Sequence, residues 1–175
     1  MDESFLVSQI KEDACYVSDD FKRDLEATWK GNFGRGKGVD GRAEIVQEYV
    51  LPDYLSTFRG HLRPLDTRRA KLNPDTAHPN SKSATEEAFP LGNERFIVPE
   101  LIFTPSDIGL AQAGLAEVVI QSLRALPAGL WPVLLANIIV VGGNAKLRGF
   151  VERLEAEVRS LTPADCMVRV RAGDE

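Results

Sequence analysis

Apolar and polar positions alternate along this chain with periods that change from one stretch to the next. Phe5, Leu6, Ile10 and Ala14 recur at roughly helical spacing, and Phe21, Leu25 and Trp29 follow four residues apart. Asp19 and Asp20 precede the second run, where an N-cap and a first-turn acid belong. The pattern predicts two short helices joined near Val17-Ser18. From 31 to 92 the periodicity fades, and only Ile45 to Val50, running on into Leu51-Pro52-Asp53-Tyr54, has strand character. Residues 72 to 92 read as an exposed loop, punctuated by Asn73-Pro74-Asp75 and His78-Pro79-Asn80. Phe96-Ile97-Val98 reads as a short strand ended by Pro99, and Thr104 to Asp107 as a turn. Ala116 to Leu126 predicts an amphipathic helix with Leu115, Val118, Val119, Leu123 and Leu126 on one side. Pro127-Ala128-Gly129 breaks it, and another helix starts at Trp131 and runs to Ala136.

The clearest local signal comes next. Asn137 to Val141 is a continuous apolar run with β-branched residues, suited to a strand buried on both faces. Gly142-Gly143-Asn144 follows at once. Leu147, Phe150, Val151, Leu154, Val158 and Leu161 then trace a helical stripe, stopped by Thr162-Pro163. Met167 to Arg171 alternates like a second strand. Together these predict a β-α-β unit with a right-handed crossover, and so an α/β fold.

Composition adds limits. The 175 residues are 43% hydrophobic and 27% charged, a globular balance, and the formal net charge is −5. An acidic chain does not grip nucleic acid over its whole surface. The exception is local: from Arg35 to Lys82 there are nine basic and six acidic residues. No apolar run reaches the roughly 18 residues that a membrane span needs. The acidic N-terminus lacks the layout of a signal peptide. Cys15 and Cys166 could form at most one bridge and read as buried thiols in a reducing compartment.

Candidate chemistry is sparse. Gly142-Gly143 sits at the carboxyl end of a strand and the start of a helix, where open parallel sheets bind ligands. Two glycines allow close backbone approach there; the alternative is a tight turn that binds nothing. Gly31 to Lys37 has phosphate-loop spacing, but Gly38 stands where a hydroxyl must hold Mg²⁺ and no apolar strand precedes it. A basic loop fits better. His61 and His78 have no partners at metal-ligand spacing, and no nucleophile elbow is present, so neither a metal site nor a catalytic residue is assigned. Lys11-Glu12-Asp13, taken alone, reads as a solvated helix face.

Several stretches together resemble the actin family. Asn137 to Asn144, followed five residues later by Gly149, is similar to that family's strand, double glycine and helix beside the nucleotide. Asn93-Glu94-Arg95-Phe96, Pro99-Glu100 and Phe103-x-Pro105-Ser106-x-x-Gly109 match the segment leading into it. Ile10-Lys11-Glu12-x-x-Cys15-Tyr16-Val17 resembles the helix that contacts adenine. Glu48 to Tyr54, with Arg59-Gly60 and Arg63-Pro64 behind it, is absent from conventional actin and points to an actin-related branch.

The resemblance implies a partial actin-like fold of the ribonuclease H and Hsp70 ATPase type, equivalent to subdomain 3 plus part of subdomain 4. Residues 1–30 would carry the adenine-side helix, 31–92 a branch-specific insert and flexible loop, and 93–175 the β-α-β region. Neither phosphate-loop hairpin of an actin clamp is present. The chain is therefore expected to be a fragment truncated at both ends, with an exposed apolar patch and poor solubility alone. By the resemblance, Lys11 and Glu12 match the adenine-side pair, and Gly142, Gly143, Asn144, Lys146 and Leu147 the loop beside phosphate and ribose. Asn144-Ala145 stand where actin has hydroxyl residues, and Leu147 where it has an aromatic. ATP is thus implied only as a structural ligand of a full-length parent, without tight binding to this chain. The branch also implies a non-catalytic subunit of a Swr-type chromatin-remodelling complex, in the nucleus and secondarily the cytoplasm. Such a subunit assists exchange of a core histone for its Z variant and so regulates transcription. Its partners would be the motor ATPase and scaffold proteins, with histones contacted indirectly and neither membrane nor strong nucleic-acid binding. Within the insert from Val39 to Pro64, the apolar residues Val50, Leu51, Tyr54 and Phe58 beside arginines are the expected partner contact. The other reading is a nucleotide-hydrolysing, filament-forming actin.

Overall fold

In the computed structural model, residues 3–29, 45–65 and 86–173 are described. They divide into two units, 1–14 with 21–95 and 15–20 with 96–175.

The first unit holds helices α1 (Glu3–Ala14) and α2 (Phe21–Trp29), the two predicted from the apolar spacing. It also holds a three-stranded antiparallel sheet of β1 (Gln47–Val50), β2 (His61–Pro64) and β3 (Ala88–Leu91), in the order β2-β1-β3. Only β1 was expected as a strand. Leu51 to Tyr54 leaves the ladder, and β3 lies inside the stretch expected to be loop. Pro64 and Pro90 disguise the two outer strands, and both are tolerated because an edge strand has one side without ladder bonds. The register opposes Glu48 to Arg63 and Gln47 to Leu91. The Arg63 guanidinium donates to Glu48 at 2.8 Å and to Glu86 at 2.9 Å, a cross-strand charge pair that fixes this register.

The boundary between units falls inside helix α3 (Glu94–Glu100). This corrects the expected strand at Phe96-Ile97-Val98. The Glu94 carboxylate accepts the Gly92 N–H at 2.8 Å, which starts the turn. The β-branched pair Ile97-Val98 favours strand only weakly, and the local turn overrides it.

The second unit contains α4 (Leu115–Arg124), α5 (Trp131–Leu135), β4 (Ile138–Val140), α6 (Phe150–Leu161) and β5 (Val170–Ala172). Strands β4 and β5 pair in parallel, Ile138 with Val170 and Val140 with Ala172, as the β-α-β reading required. The core gathers Phe103, Ile120, Leu135, Phe150, Leu154 and Val158. Two expectations are corrected here. On α4 the buried face is Ala116, Ile120 and Leu123, whereas Val118 is exposed, as is Leu126 beyond the helix end. Strand β4 is covered on one face only: Ile138 and Val140 pack on the core, while Ile139 is 57% exposed. Among the described residues no helix is long and apolar enough to cross a membrane.

Candidate functional site

The paired glycines leave β4 as the sequence suggested. Gly142 takes φ 104°, ψ 170°, a conformation that L side chains rarely adopt and that glycine takes at little cost. A 3₁₀ turn over Gly143–Lys146 follows, closed by Ala145 N–H to Gly142 O (3.0 Å) and Leu147 N–H to Asn144 O (3.2 Å). Chain neighbours aside, no atom of the described residues lies within 4 Å of where a Cβ would stand on Gly142 or Gly143, so the backbone here is open to close approach. Leu147 is different. It is 7% exposed and belongs to the core of its unit. Its aliphatic side chain turns inward and anchors the turn.

The next two residues fasten this loop to the segment 15–20. Arg148 O accepts the Val17 N–H at 2.9 Å, and the Arg148 guanidinium lies 4.9 Å from the Tyr16 ring centre. Gly149 has φ 82°, and a Cβ there would stand 2.4 Å from Val17 O. Arg153, on the first turns of α6, donates to Ser18 O (2.8 Å), Glu100 (2.9 Å) and Glu157 (2.5 Å), with its guanidinium 5.5 Å from the Phe103 ring centre. Burial of Glu100 pushes its carboxyl above the ordinary range, which Arg153 only partly offsets. For Arg153 burial works downward, but Glu157 and Glu100 outweigh it and hold the guanidinium charged. This cluster went unread in the sequence. Its one signal is a charged residue abutting the Phe150–Leu154–Val158 stripe.

Lys11 and Glu12 sit on the last turn of α1, in the first unit, whereas Gly142 to Lys146 are in the second. The acids beside them are engaged. Arg59 donates to Asp13 at 2.5 Å and lies 3.6 Å from Glu12. The Tyr49 hydroxyl donates to Asp13 at 3.2 Å. Tyr49 is fully buried; burial first, and then the Asp13 charge, push its phenol up to about 12.

The expected partner contacts separate. Val50 is 4% exposed, so it is corrected from a surface contact to a core residue of its sheet. Tyr49 and Val50 are neighbours on β1 and point to opposite faces, and both are buried, so the strand is covered on both sides at this end. Leu51 and Tyr54 are half-buried, and Phe58 is 71% exposed. Leu55, not named from sequence, is 89% exposed. The loop carrying them is held by the Asp53 carboxylate. It accepts the Ser56 hydroxyl and the N–H groups of Leu55, Ser56 and Thr57, which hold its pKa well below the carboxylate range. Tyr54 takes a left-handed φ of 56° within this turn.

Gly31 to Gly38 and His78 lie outside the described residues. Among those described, no group of three His, Cys, Asp or Glu could hold a metal ion. Cys15 and Cys166 are free thiols, the first half-buried and the second buried.

A family model described as Actin matches residues 1–175. The chain belongs to the actin family. It is 49% identical to the actin-like protein arp6 of Emericella nidulans, over 98% of this chain and 36% of that relative. It is 39% identical to actin-related protein 6 of Drosophila melanogaster, over 96% of the chain and 37% of the relative. With actin-related protein 6 of Arabidopsis thaliana it shares 34% identity, over 100% and 42%. The actin-family chain thus spans little more than a third of the length of the first two, and its α/β architecture is a partial actin-like fold.

Proposed function

We propose that this actin-family chain is part of a non-catalytic subunit of a Swr-type chromatin-remodelling complex, assisting ATP-dependent exchange of a core histone for its Z variant. The carrying observation is the 49% identity to an actin-like protein arp6 along 98% of the chain. The reading places the protein in the nucleus and secondarily the cytoplasm, as a rigid surface for the motor ATPase and scaffold subunits. Leu51, Tyr54 and Phe58, joined by Leu55, are the residues of the insert that such partners would meet, because Asp53 presets their loop and less ordering entropy is lost on binding.

A nucleotide would be a structural ligand of the full-length parent. The open backbone at Gly142 and Gly143 suits a phosphate or ribose, with Asn144 and Lys146 on the same turn. Lys11 and Glu12 match the family's adenine-side pair by resemblance alone. Bound, the nucleotide would contribute binding energy to the folded state rather than a reaction. The buried Leu147 and the absence of hydroxyls at Asn144-Ala145 argue against tight retention.

The test is to purify the remodelling complex with and without the full-length parent and measure Z-variant exchange on nucleosomes. Loss of exchange without the parent, while the parent alone neither turns over ATP nor sediments as polymer, is the expected result. Turnover at an actin-like rate with sedimenting polymer would favour the filament-forming reading instead.

A further inference from the structure

Residues 15–18 follow α1 without forming helix or strand. Such a segment usually runs over the surface. Here Tyr16, Val17 and Ser18 are all buried, Ser18 to 1% exposure. The Tyr16 ring centre lies 6.1 Å from that of Phe96 and 4.9 Å from the Arg148 guanidinium. We propose that residues 15–18 are a strap that positions the Gly142–Lys146 turn, strap and turn opening and closing as one cooperative unit.

The argument is the route by which the turn is held. Its backbone hydrogen bonds, Ala145 to Gly142 and Leu147 to Asn144, close within it. Its backbone is therefore placed by β4 before it and by Leu147, Arg148 and Gly149 after it. Leu147 and Val17 belong to the same buried core. The Arg148 carbonyl accepts the Val17 N–H at 2.9 Å. Gly149, at φ 82°, leaves no room for a Cβ beside the Val17 carbonyl. Helix α6 begins at the next residue, Phe150, and its Arg153 donates to Ser18 O at 2.8 Å. Three residues thus join the turn to the helix, and the strap is fastened at both ends of them. Lifting Val17 breaks the Arg148 bond and empties the space beside Gly149 in the same movement.

The strap therefore governs the open backbone at Gly142 and Gly143. By linkage, a ligand that steadies this backbone also steadies 15–18, and a contact that pulls the strap away loosens the turn. Only this consequence rests on the nucleotide reading above. The coupling is a property of the chain, and it and the assembly role can each fail without the other.

The test is hydrogen exchange on the full chain under dilute conditions, read by mass spectrometry on peptides covering 15–20 and 142–148, with 116–124 on α4 as the reference. Tyr16→Leu keeps an apolar side chain but removes the ring that the Arg148 guanidinium meets. It should speed exchange in 142–148 as well as in 15–20, by roughly twofold to tenfold, the reach of a lost cation–π contact. Gly142→Ala perturbs from the other end: its methyl enters open space, and the φ of 104° alone resists it. Exchange in 15–20 should rise there too, and this variant, which removes no core contact, decides the matter should Tyr16→Leu not fold. Gly109→Ala places a similar strain, φ 77° with open space around it, elsewhere in the same unit and should leave 15–20 unchanged. Faster exchange confined to the substituted segment, equal acceleration of 116–124, or a rise in 15–20 as large in Gly109→Ala as in Gly142→Ala would each overturn the proposal.

Discussion

Tyr49 shows how far one residue can organise its surroundings. Its ring is fully buried, its hydroxyl meets Asp13, and Gly60 packs directly on the ring. A Cβ at Gly60 would stand 2.5 Å from the ring atoms, and a buried ring has nowhere to move. Gly60→Ala should therefore cost roughly 1–3 kcal/mol, read as a lower urea midpoint with an unchanged slope. The phenol gives a second, independent readout. Burial leads, and the Asp13 charge adds to it, in lifting Tyr49 to about 12. Titrated by tyrosinate absorbance, one of the three tyrosines should ionise last. Asp13→Asn should bring that step down towards the ordinary range. The sign for stability follows. A phenol raised in the folded state contributes fully below its ordinary value of 10.0, and the contribution is lost as pH climbs towards 12. A late step that ignores the Asp13 substitution would mean that burial alone sets it.

Among elements, the segment 15–20 depends most on others. It has no helix or strand of its own, and Gly149 and Arg153 hold it to the start of α6. Gly149→Ala meets both a left-handed φ and the Val17 carbonyl, so a loss of at least about 1–2 kcal/mol is expected from the backbone conformation alone. Arg153→Ala leaves the Glu100 carboxyl buried without its cation, which costs about 3–5 kcal/mol. That loss should depend on pH. Glu100 is already raised in the folded state, so its contribution is intact below the ordinary value of 4.5 and shrinks as pH rises above it. Urea midpoints of Arg153→Ala should therefore fall as pH rises above the ordinary carboxylate value, and adding Glu100→Gln should flatten the curve. The same scale explains what the sequence disclosed. The β-α-β unit was readable because β4, Gly142-Gly143 and the Phe150–Leu154–Val158 stripe are local patterns of apolar period and turn chemistry. Helix α3 was hidden because a β-branched pair sits in a turn begun by Glu94. Strands β2 and β3 were hidden because edge positions accept proline. The Arg153 cluster was hidden because two of its three partners, Glu100 and Ser18, are 53 and 135 residues away in the chain. At the candidate nucleotide site, Gly142 and Gly143 were legible from residue type, and the inward turn of Leu147 from its place at the head of the Phe150–Leu154–Val158 stripe.

At the scale of the molecule, the second unit is asymmetric in what it covers. Positions along β4 and the residue after it alternate: Ile138 and Val140 enter the core, Ile139 and Val141 are 57% and 73% exposed. Met167 is 71% exposed and Val133 70%. On the α4 side, Val118 and Leu126 line an apolar groove of about 310 Å³ with Leu134, Leu135 and Ile138. Single exposed apolar residues are normal on any surface, but alternate positions on one strand lie on the same side of a sheet, where they add up to a patch. The sheet has only two strands among the described residues, so neither strand is flanked by a third. An exposed two-strand sheet with an apolar face is prone to pair with another copy. We therefore expect the isolated chain to associate as its concentration rises, seen as a growing weight-average mass in sedimentation equilibrium. Ile139→Lys with Val141→Lys should shift the distribution towards monomer with little change in urea midpoint, because both side chains already face outward and no core contact is lost. A monomer at every concentration would show that the exposed face of β4 does not drive association. A double variant that unfolds would show instead that these side chains are structural, which their exposure contradicts.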